Sequence, residues 1–428
     1  MNTTTAPDAS PHVVVIGAGA IGIMSALHAL ARGWQVTIVD PAEPGAEHAA
    51  SYGNAGWLSS HSILPPSEPG VWKKLPGFLA DPLGPLSIRW RYLPHNLLWL
   101  LRYLLAGATE ARISATARSL RSLLVDAAPL HRDIAMQAGA EHLIELGGLL
   151  HVYPSRQEFE NDARAWRIRR ALGISWEELS ASQLRQREPD LDPHYGFAVF
   201  IPEAGHCRNP GAYIAALTRR AQALGARLVN AKASGFRFAN GALAAVTTDA
   251  GEIVCNAAVI AAGAQSKVLA AQAGDRVPLA SERGYHAEVR DPEGYPRTPM
   301  MLMDRKVIAT HTEQGLRVAG QVEFASFEAA PDWRRAEIMR DLALQSFPAL
   351  PRDLPVERVH YWLGRRPSMP DGLPCIGPAS RSAAIIHAFG HGHIGLGSSA
   401  RTGRLVAQLL NGEATEIDVA PFSAQRFR

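Results

Sequence analysis

Residues 13–22 read Val-Val-Val-Ile-Gly-Ala-Gly-Ala-Ile-Gly, and Asp40 follows eighteen positions after the last of these glycines. The apolar run predicts a buried parallel strand, residues 21–32 a helix, and residues 35–39 a second strand ending at the acid. Each part has a physical task. Gly17 permits a tight turn, Gly19 lets the backbone approach a pyrophosphate, and Gly22 allows the helix to pack closely on the strand. The helix N-terminus, with Ala18 and Ile21 beside it, offers unpaired N–H groups and positive potential to phosphates. Asp40 is placed to accept from ribose hydroxyls. Strand, spacing, helix, second strand and acid together predict a dinucleotide-binding βαβ unit.

A chain of 428 residues has room for more than one core, so two connected domains are expected. Lys plus Arg number 43 against 40 Asp plus Glu, and no dense basic run interleaved with aromatics occurs, which argues against nucleic acid as a partner. Cys207, Cys255 and Cys375 lie far apart in no metal-ligand spacing, so a reduced cytoplasmic setting is expected, with no metal. Residues 1–10 show neither a basic n-region nor an apolar h-region. The region from Trp90 to Leu105 mixes Trp, Leu and Arg. It is too short and too interrupted by charge and proline to span a bilayer. Two readings remain open for it: a peripheral contact at the inner face of the cytoplasmic membrane, or an amphipathic helix packed on its own domain or a partner subunit.

Prolines and glycines cluster over residues 58–89, as in a connection. Helical patterning runs from 94 to 138 with Gly139 as a stop, residues 146–153 read as a strand, and 157–172 as one helix. Another helix is expected from Asn209 to residue 224 with Gly225 after it, then a strand over 226–233. Two β segments, 241–248 and 252–260, flank an Asp249-Ala250-Gly251 turn. Residues 277–361 alternate β patterns with one helix over 333–347, and a last helix spans 400–410. The expected fold is α/β. A discontinuous Rossmann-like FAD-binding domain (11–62, 203–275 and 362–421) is interleaved with an α+β substrate domain (63–202 and 276–361) on a mostly antiparallel sheet.

Three further motifs favour a flavin over a nicotinamide. Residues 259–264 form a strand ending in small residues, with Ala262 and Gly263 allowing close backbone approach. Residues 51–56, including Asn54, Ala55 and Gly56, suit a loop passing along a ring system. Gly390, His391, Gly392, His393, Ile394 and Gly395 precede the last helix, whose N-terminus would stabilise negative charge on a reduced flavin. A nicotinamide dehydrogenase stays the competing reading, and a yellow preparation would exclude it. A flavin-binding electron-transfer subunit of a larger complex is a third.

These residues carry a resemblance. The chain resembles the glycine-oxidase and D-amino-acid-dehydrogenase branch of FAD-dependent amine oxidoreductases over nearly its whole length. The likeness rests on Gly364-Arg365-Arg366-Pro367-Ser368-Met369-Pro370-Asp371-Gly372, on Gly390 to Gly397, and on Glu282-Arg283-Gly284-Tyr285-His286. Residues 81–89 are similar to glyphosate oxidoreductase and to D-hydroxyproline dehydrogenase-like relatives. The resemblance implies noncovalent FAD, with Cys375 not at a linking position, and Ala233, Gly364 and Arg365 among the cofactor contacts. It implies that Arg366 clamps a substrate carboxylate, bidentately and with permanent charge. Whether Arg365 or Arg366 points inward stays open. Relatives with a second clamp arginine carry it where this chain has His393.

Strand alternation allows only one of Tyr285 and His286 to face a flavin. The implied reaction is oxidative deamination of a small carboxylate-bearing amine, by hydride transfer from the α-carbon to flavin N5. A D-amino acid or D-hydroxyproline is the first expectation, an N-substituted glycine of the glyphosate or sarcosine type the second, with oxygen or a quinone as acceptor. Such chemistry needs orientation and a dry pocket more than a dedicated base.

Overall fold

The computed structural model describes residues 10–67, 69–70, 83–84, 86–89, 93–326 and 328–428. Within the segments singled out from sequence, residues 68, 71–82, 85, 90–92 and 327 lie outside the described set, as do residues 1–9.

The fingerprint strand His12–Ile16 sits inside a six-stranded sheet. It lies between Gln35–Asp40 and Ala257–Ile260; Arg227–Asn230 and Ile385–Phe389 flank these, all parallel. Cys375–Pro378 closes one edge antiparallel. Val13, Val15 and Ile38 pack under one face against the helices Ala20–Leu30 and Pro210–Ala223, whereas Val14, Ile16 and Val39 pack under the other. Burial on both faces explains why the strand reads as a continuous apolar run. Chain segments separated by more than 200 residues thus complete one sheet, the discontinuous arrangement expected from the sequence.

A nine-stranded, mostly antiparallel sheet forms the second layer. Its end nearest the site pairs Val359–Ser368 with Ala280–Arg290, which pairs in turn with Gly315–Phe324. Two pairings are parallel: Met300–Leu302 with Leu149–Tyr153, and Leu86–Ile88 with Gly315–Phe324. One face of this sheet, through Ala287, Val289 and Val318, packs on Met339 and Ala343 of the helix Arg334–Ser346. The other face looks toward the parallel sheet and the loop 51–56. The 362 boundary drawn from sequence falls inside the strand Val359–Ser368, all of which belongs to the nine-stranded sheet.

Local signals place several helices well. Asn209 accepts from Ala212 N at 3.0 Å, Pro210 takes the first turn, and Gly225 ends the segment at φ +99°. Other expectations need correction. The helix expected over 157–172 is broken at Asp162 into Arg156–Asn161 and Ala163–Ala171. The strand expected over 226–233 ends at Asn230; Ala231 N donates to Asp40 O at 3.2 Å, and Ala233 opens a separate three-stranded sheet. The last helix begins at Gly395, not Ala400. Its glycines are packing sites: a Cβ at Gly403 would lie 2.5 Å from Met24 C, and one at Gly397 would lie 3.4 Å from Trp57 O.

The helix Leu93–Ala106 is two-faced. Trp99 and Tyr103 stack at 5.5 Å and pack on Phe324, as the amphipathic-helix reading expects. Leu97, Leu98, Leu101 and Leu105 stay exposed on the opposite side. Among the described residues no helix is long and apolar enough to cross a membrane.

Candidate active site

The fingerprint turn is built as its glycines require. Gly17 adopts φ +109° and donates from N to Val39 O at 2.8 Å. A Cβ there would lie 2.4 Å from Ala261 O, and one at Gly22 would lie 1.8 Å from Gly17 O. Any side chain at either position would therefore push the turn apart. Gly19 differs, since a Cβ there would meet only Ser51 Oγ, at 3.9 Å. No described residue demands this glycine, and the backbone there is open to close approach. The helix Ala20–Leu30 has no side-chain cap and no acid in its first turn, so its leading amides stay available to an anion. Asp40 Oδ2 accepts from Ala18 N at 2.8 Å and Oδ1 from Ala42 N at 3.0 Å, which leaves lone pairs on both oxygens.

Further contacts extend this cradle. Ala261 N donates to Ile16 O at 2.8 Å, which brings Ala262 and Gly263 beside Gly17; Gly263 has φ +55° and open space around it. Ala233 follows the Ala231 contact to the Asp40 carbonyl and so lies at the acid's end of the sheet. Asn54 Oδ1 accepts from Gly56 N at 2.8 Å, and Arg317 Nη1 donates to Tyr52 O at 3.3 Å and Asn54 O at 2.8 Å. Arg317 thus pins the loop carrying Asn54, Ala55 and Gly56 to the second sheet.

At the other end, Ser368 and His391 form an isolated bridge that joins the strand Val359–Ser368 to the Gly390–Gly395 loop. His391 Nε2 pairs with Thr402 Oγ1 at 3.1 Å, while buried Nδ1 has no partner among the described residues. Burial pushes this imidazole down to about 3. The helix Gly395–Leu410 also lacks a side-chain cap and a first-turn acid. Open glycines, free helix amides, an available carboxylate and an orphaned buried nitrogen fit a dinucleotide flavin better than a packed core.

We expect Gly19→Ala to leave the melting temperature of the cofactor-free protein within about 2 °C, since its methyl enters open space. The FAD dissociation constant should rise at least tenfold, about 1.4 kcal/mol. Flavin fluorescence titration checks this; unchanged affinity would remove Gly19 from the cofactor site.

Register decides which arginine faces the site. Glu282, Gly284 and His286 lie opposite Arg366, Gly364 and Trp362, and cross-strand partners share a face. Arg366 lies across Gly284, where a Cβ would be 2.3 Å from its Nη2. Its Nη1 donates to Glu282 Oε1 at 2.9 Å and to Gln321 O at 3.3 Å. Among the described residues, its Nη2 and Nε have no hydrogen-bond partner. His393 is exposed toward this region with no hydrogen-bond partner among the described residues. Surrounding protein lowers its pKa; Glu282 acts to raise it and Arg366 to lower it, so both charges lie within its electrostatic reach.

Arg365 goes to the opposite face with Arg283 and Tyr285. Tyr285 Oη donates to Glu323 Oε2 at 2.7 Å and accepts from Asp332 N at 3.1 Å, in a network that includes the buried Arg283. Tyr285 and Arg365 are therefore not brought together with Arg366. His286 shares Arg366's face but is wholly buried, stacked on Trp362 at 5.0 Å with Nδ1 against Gly53 O at 3.2 Å. Burial holds it well below its ordinary value, and it ties sheet to loop as a neutral ring.

His286, Glu288 and His360 place three ligand-type atoms within 4.8 Å of one another. Arg317 Nη2 lies 3.0 Å from Glu288 Oε1, supplying the positive charge a cation would otherwise bring. Sequence reasoning quoted Glu282 and Ser368 without assigning them and missed Arg317 and Gln321; no local pattern marks these four.

A family model described as FAD dependent oxidoreductase matches residues 12–409. The chain is similar to a protein of Bradyrhizobium diazoefficiens named D-amino-acid oxidase, 59% identical over 416 residues, covering 97% of this chain and 99% of that protein. It is similar to a D-amino acid dehydrogenase of Paramagnetospirillum magneticum, at 30% identity over 97% of this chain and 98% of the relative. Among solved structures, glycine oxidase from Geobacillus kaustophilus superposes with a TM-score of 0.72 at 22% identity, covering 97% of this chain and 99% of that one. L-proline dehydrogenase from P. horikoshii gives a TM-score of 0.72 at 18% identity, covering 98% of each. These two structures share the fold.

Proposed function

Because the chain belongs to the FAD dependent oxidoreductase family, we propose that it uses noncovalent FAD to oxidise a D-amino acid at the α-carbon, with Arg366 holding the substrate carboxylate. The observation that carries this reading is Arg366 lying across Gly284 with two donor nitrogens unspent, on the face turned toward the Gly390–Gly395 loop. A planar guanidinium with free donors on one side suits bidentate capture of a carboxylate. Near-full-length similarity to a D-amino-acid oxidase supports the substrate class.

Bound FAD supplies the two-electron acceptor for the α-hydrogen. The chain's own residues orient the substrate and exclude water, and the product imine then hydrolyses to a 2-oxo acid and ammonia. Residues 11–62, 203–275 and 362–421 are assigned to the cofactor, and 63–202 and 276–361 to the substrate. Oxygen is the acceptor favoured by the name of the 59% identical relative. A second reading is favoured by the exposed Leu97, Leu98, Leu101 and Leu105, an apolar face suited to the surface of the cytoplasmic membrane, where a quinone would serve.

Anaerobic mixing of the holoprotein with D- and L-amino acids, D-hydroxyproline, sarcosine and glyphosate tests the substrate. Bleaching of the flavin bands by a D-amino acid and not its L-enantiomer is expected. Bleaching by sarcosine or glyphosate alone would replace the substrate class, and no bleaching at all would overturn the reading. Reoxidation by air, compared with reoxidation by quinone-loaded vesicles, separates the acceptors.

A further inference from the structure

We infer that Glu282 receives the α-ammonium group of the substrate, so that the site selects net-neutral zwitterionic amino acids and rejects carboxylates that bring no amine. This inference rests on the proposed role of Arg366. Glu282 stands directly opposite Arg366 in the strand register, on the same face of the sheet. Its Oε1 accepts from Arg366 Nη1 at 2.9 Å and its Oε2 from Ser368 Oγ at 2.9 Å, and only 14% of its side chain is exposed. A carboxylate has about four acceptor sites, so roughly two remain on Glu282.

Charge balance makes the selection. Arg366 and Glu282 cancel, and protein around His393 favours its uncharged ring. Of the other charges on this strand pair, Arg283 and Arg365 belong to the opposite face, where Arg283 lies 3.3 Å from Glu323; Glu288, on the shared face, is matched by Arg317 at 3.0 Å, and Arg290 stands exposed at the far end of its strand. The groups around a bound substrate therefore sum to no charge. A lone carboxylate docking on the free nitrogens of Arg366 would meet Glu282 as a like charge in a poorly solvated setting. An amino acid brings its ammonium one carbon away from its carboxylate. The cation then falls beside Glu282, both charges are matched, and the carboxylate takes the ammonium proton that must leave for the α-hydrogen to depart as hydride. A second acidic group, as in D-aspartate, D-glutamate or glyphosate, restores the mismatch.

The test uses holoprotein and an isosteric pair, D-alanine and D-lactate, which differ by ammonium against hydroxyl. The D-alanine dissociation constant comes from the concentration dependence of anaerobic flavin reduction, that of D-lactate from perturbation of the flavin spectrum. In Glu282→Gln, D-alanine binding should weaken about 10- to 100-fold, as expected for a lost charge-assisted hydrogen bond. D-lactate binding should stay level or tighten, and D-glutamate should improve relative to D-alanine. Parallel weakening of D-alanine and D-lactate would overturn the inference, because Glu282 would then serve only to seat Arg366. So would unchanged binding of both. Glu282→Asp keeps the charge and should retain the preference for D-alanine; losing it while FAD stays bound would count against the assignment. Failure of the underlying reading looks different: Arg366→Lys would leave D-lactate binding unaltered.

Discussion

Arg366→Ala is expected to leave FAD bound while raising the D-amino acid concentration needed for half-maximal flavin reduction about 10²- to 10³-fold. The guanidinium touches the second sheet and not the fingerprint cradle. Its hydrogen bonds go to Glu282 Oε1 at 2.9 Å and Gln321 O at 3.3 Å, so cofactor retention does not depend on it. Removing it takes the counter-charge from the proposed substrate carboxylate and also leaves Glu282, 14% exposed, without its ion-pair partner in the protein. Losing one member of a desolvated charge pair costs about 2–5 kcal/mol, at 1.4 kcal/mol per tenfold. Arg366→Lys keeps the charge without the planar fork and should fall between wild type and alanine. The flavin-to-protein absorbance ratio and stopped-flow reduction check both halves. Full flavin occupancy with unchanged kinetics would sink the clamp; lost flavin would place Arg366 in cofactor binding instead.

How much of this site was legible depends on how far each feature reaches along the chain. Gly17 and Gly22 could be assigned because their demands are local: φ +109° at one, and a Cβ 1.8 Å from Gly17 O at the other. Asn209, Pro210 and Gly225 are equally local, each acting within one turn of a helix end. The start at Gly395 was missed because glycine normally weakens a helix, whereas here Gly397 and Gly403 admit Trp57 and Met24 from distant segments. Alternation showed that Tyr285 and His286 must face opposite ways, but it could not say which faced the site. That choice, and the choice between Arg365 and Arg366, follows from the register of strands some 80 residues apart, seen in the 84-residue separation of Glu282 and Arg366. Glu282 escaped assignment for the same reason: the role proposed for it depends on that pairing.

Acid should unfold this protein over a narrow range, through histidines buried as neutral rings. His131 is held at about 4, and His206 and His391 at about 3, in each case chiefly by desolvation on burial. His61 and His151 are packed ring nitrogen to ring nitrogen at 2.9 Å, fully buried, and lie well below their ordinary value of 6.5. A histidine depressed in the folded state takes its proton only after unfolding. Its contribution is therefore intact above 6.5 and is lost as pH falls from there toward the folded value, at about 1.4 kcal/mol per unit for each group. His131, His206 and His391 together remove about 6 kcal/mol by pH 5, against a typical total of about 5–15 kcal/mol. Urea titrations of the cofactor-free protein should show the midpoint dropping steeply between pH 6.5 and 5, with at least three protons taken up on unfolding. The loss should be shallower for His131→Gln, which removes one such proton while keeping a group able to bond the Tyr213 hydroxyl, 3.1 Å from His131 Nδ1. A midpoint that stayed level from pH 7 to 5 would mean that these rings accept protons in place, and so are not sealed from water.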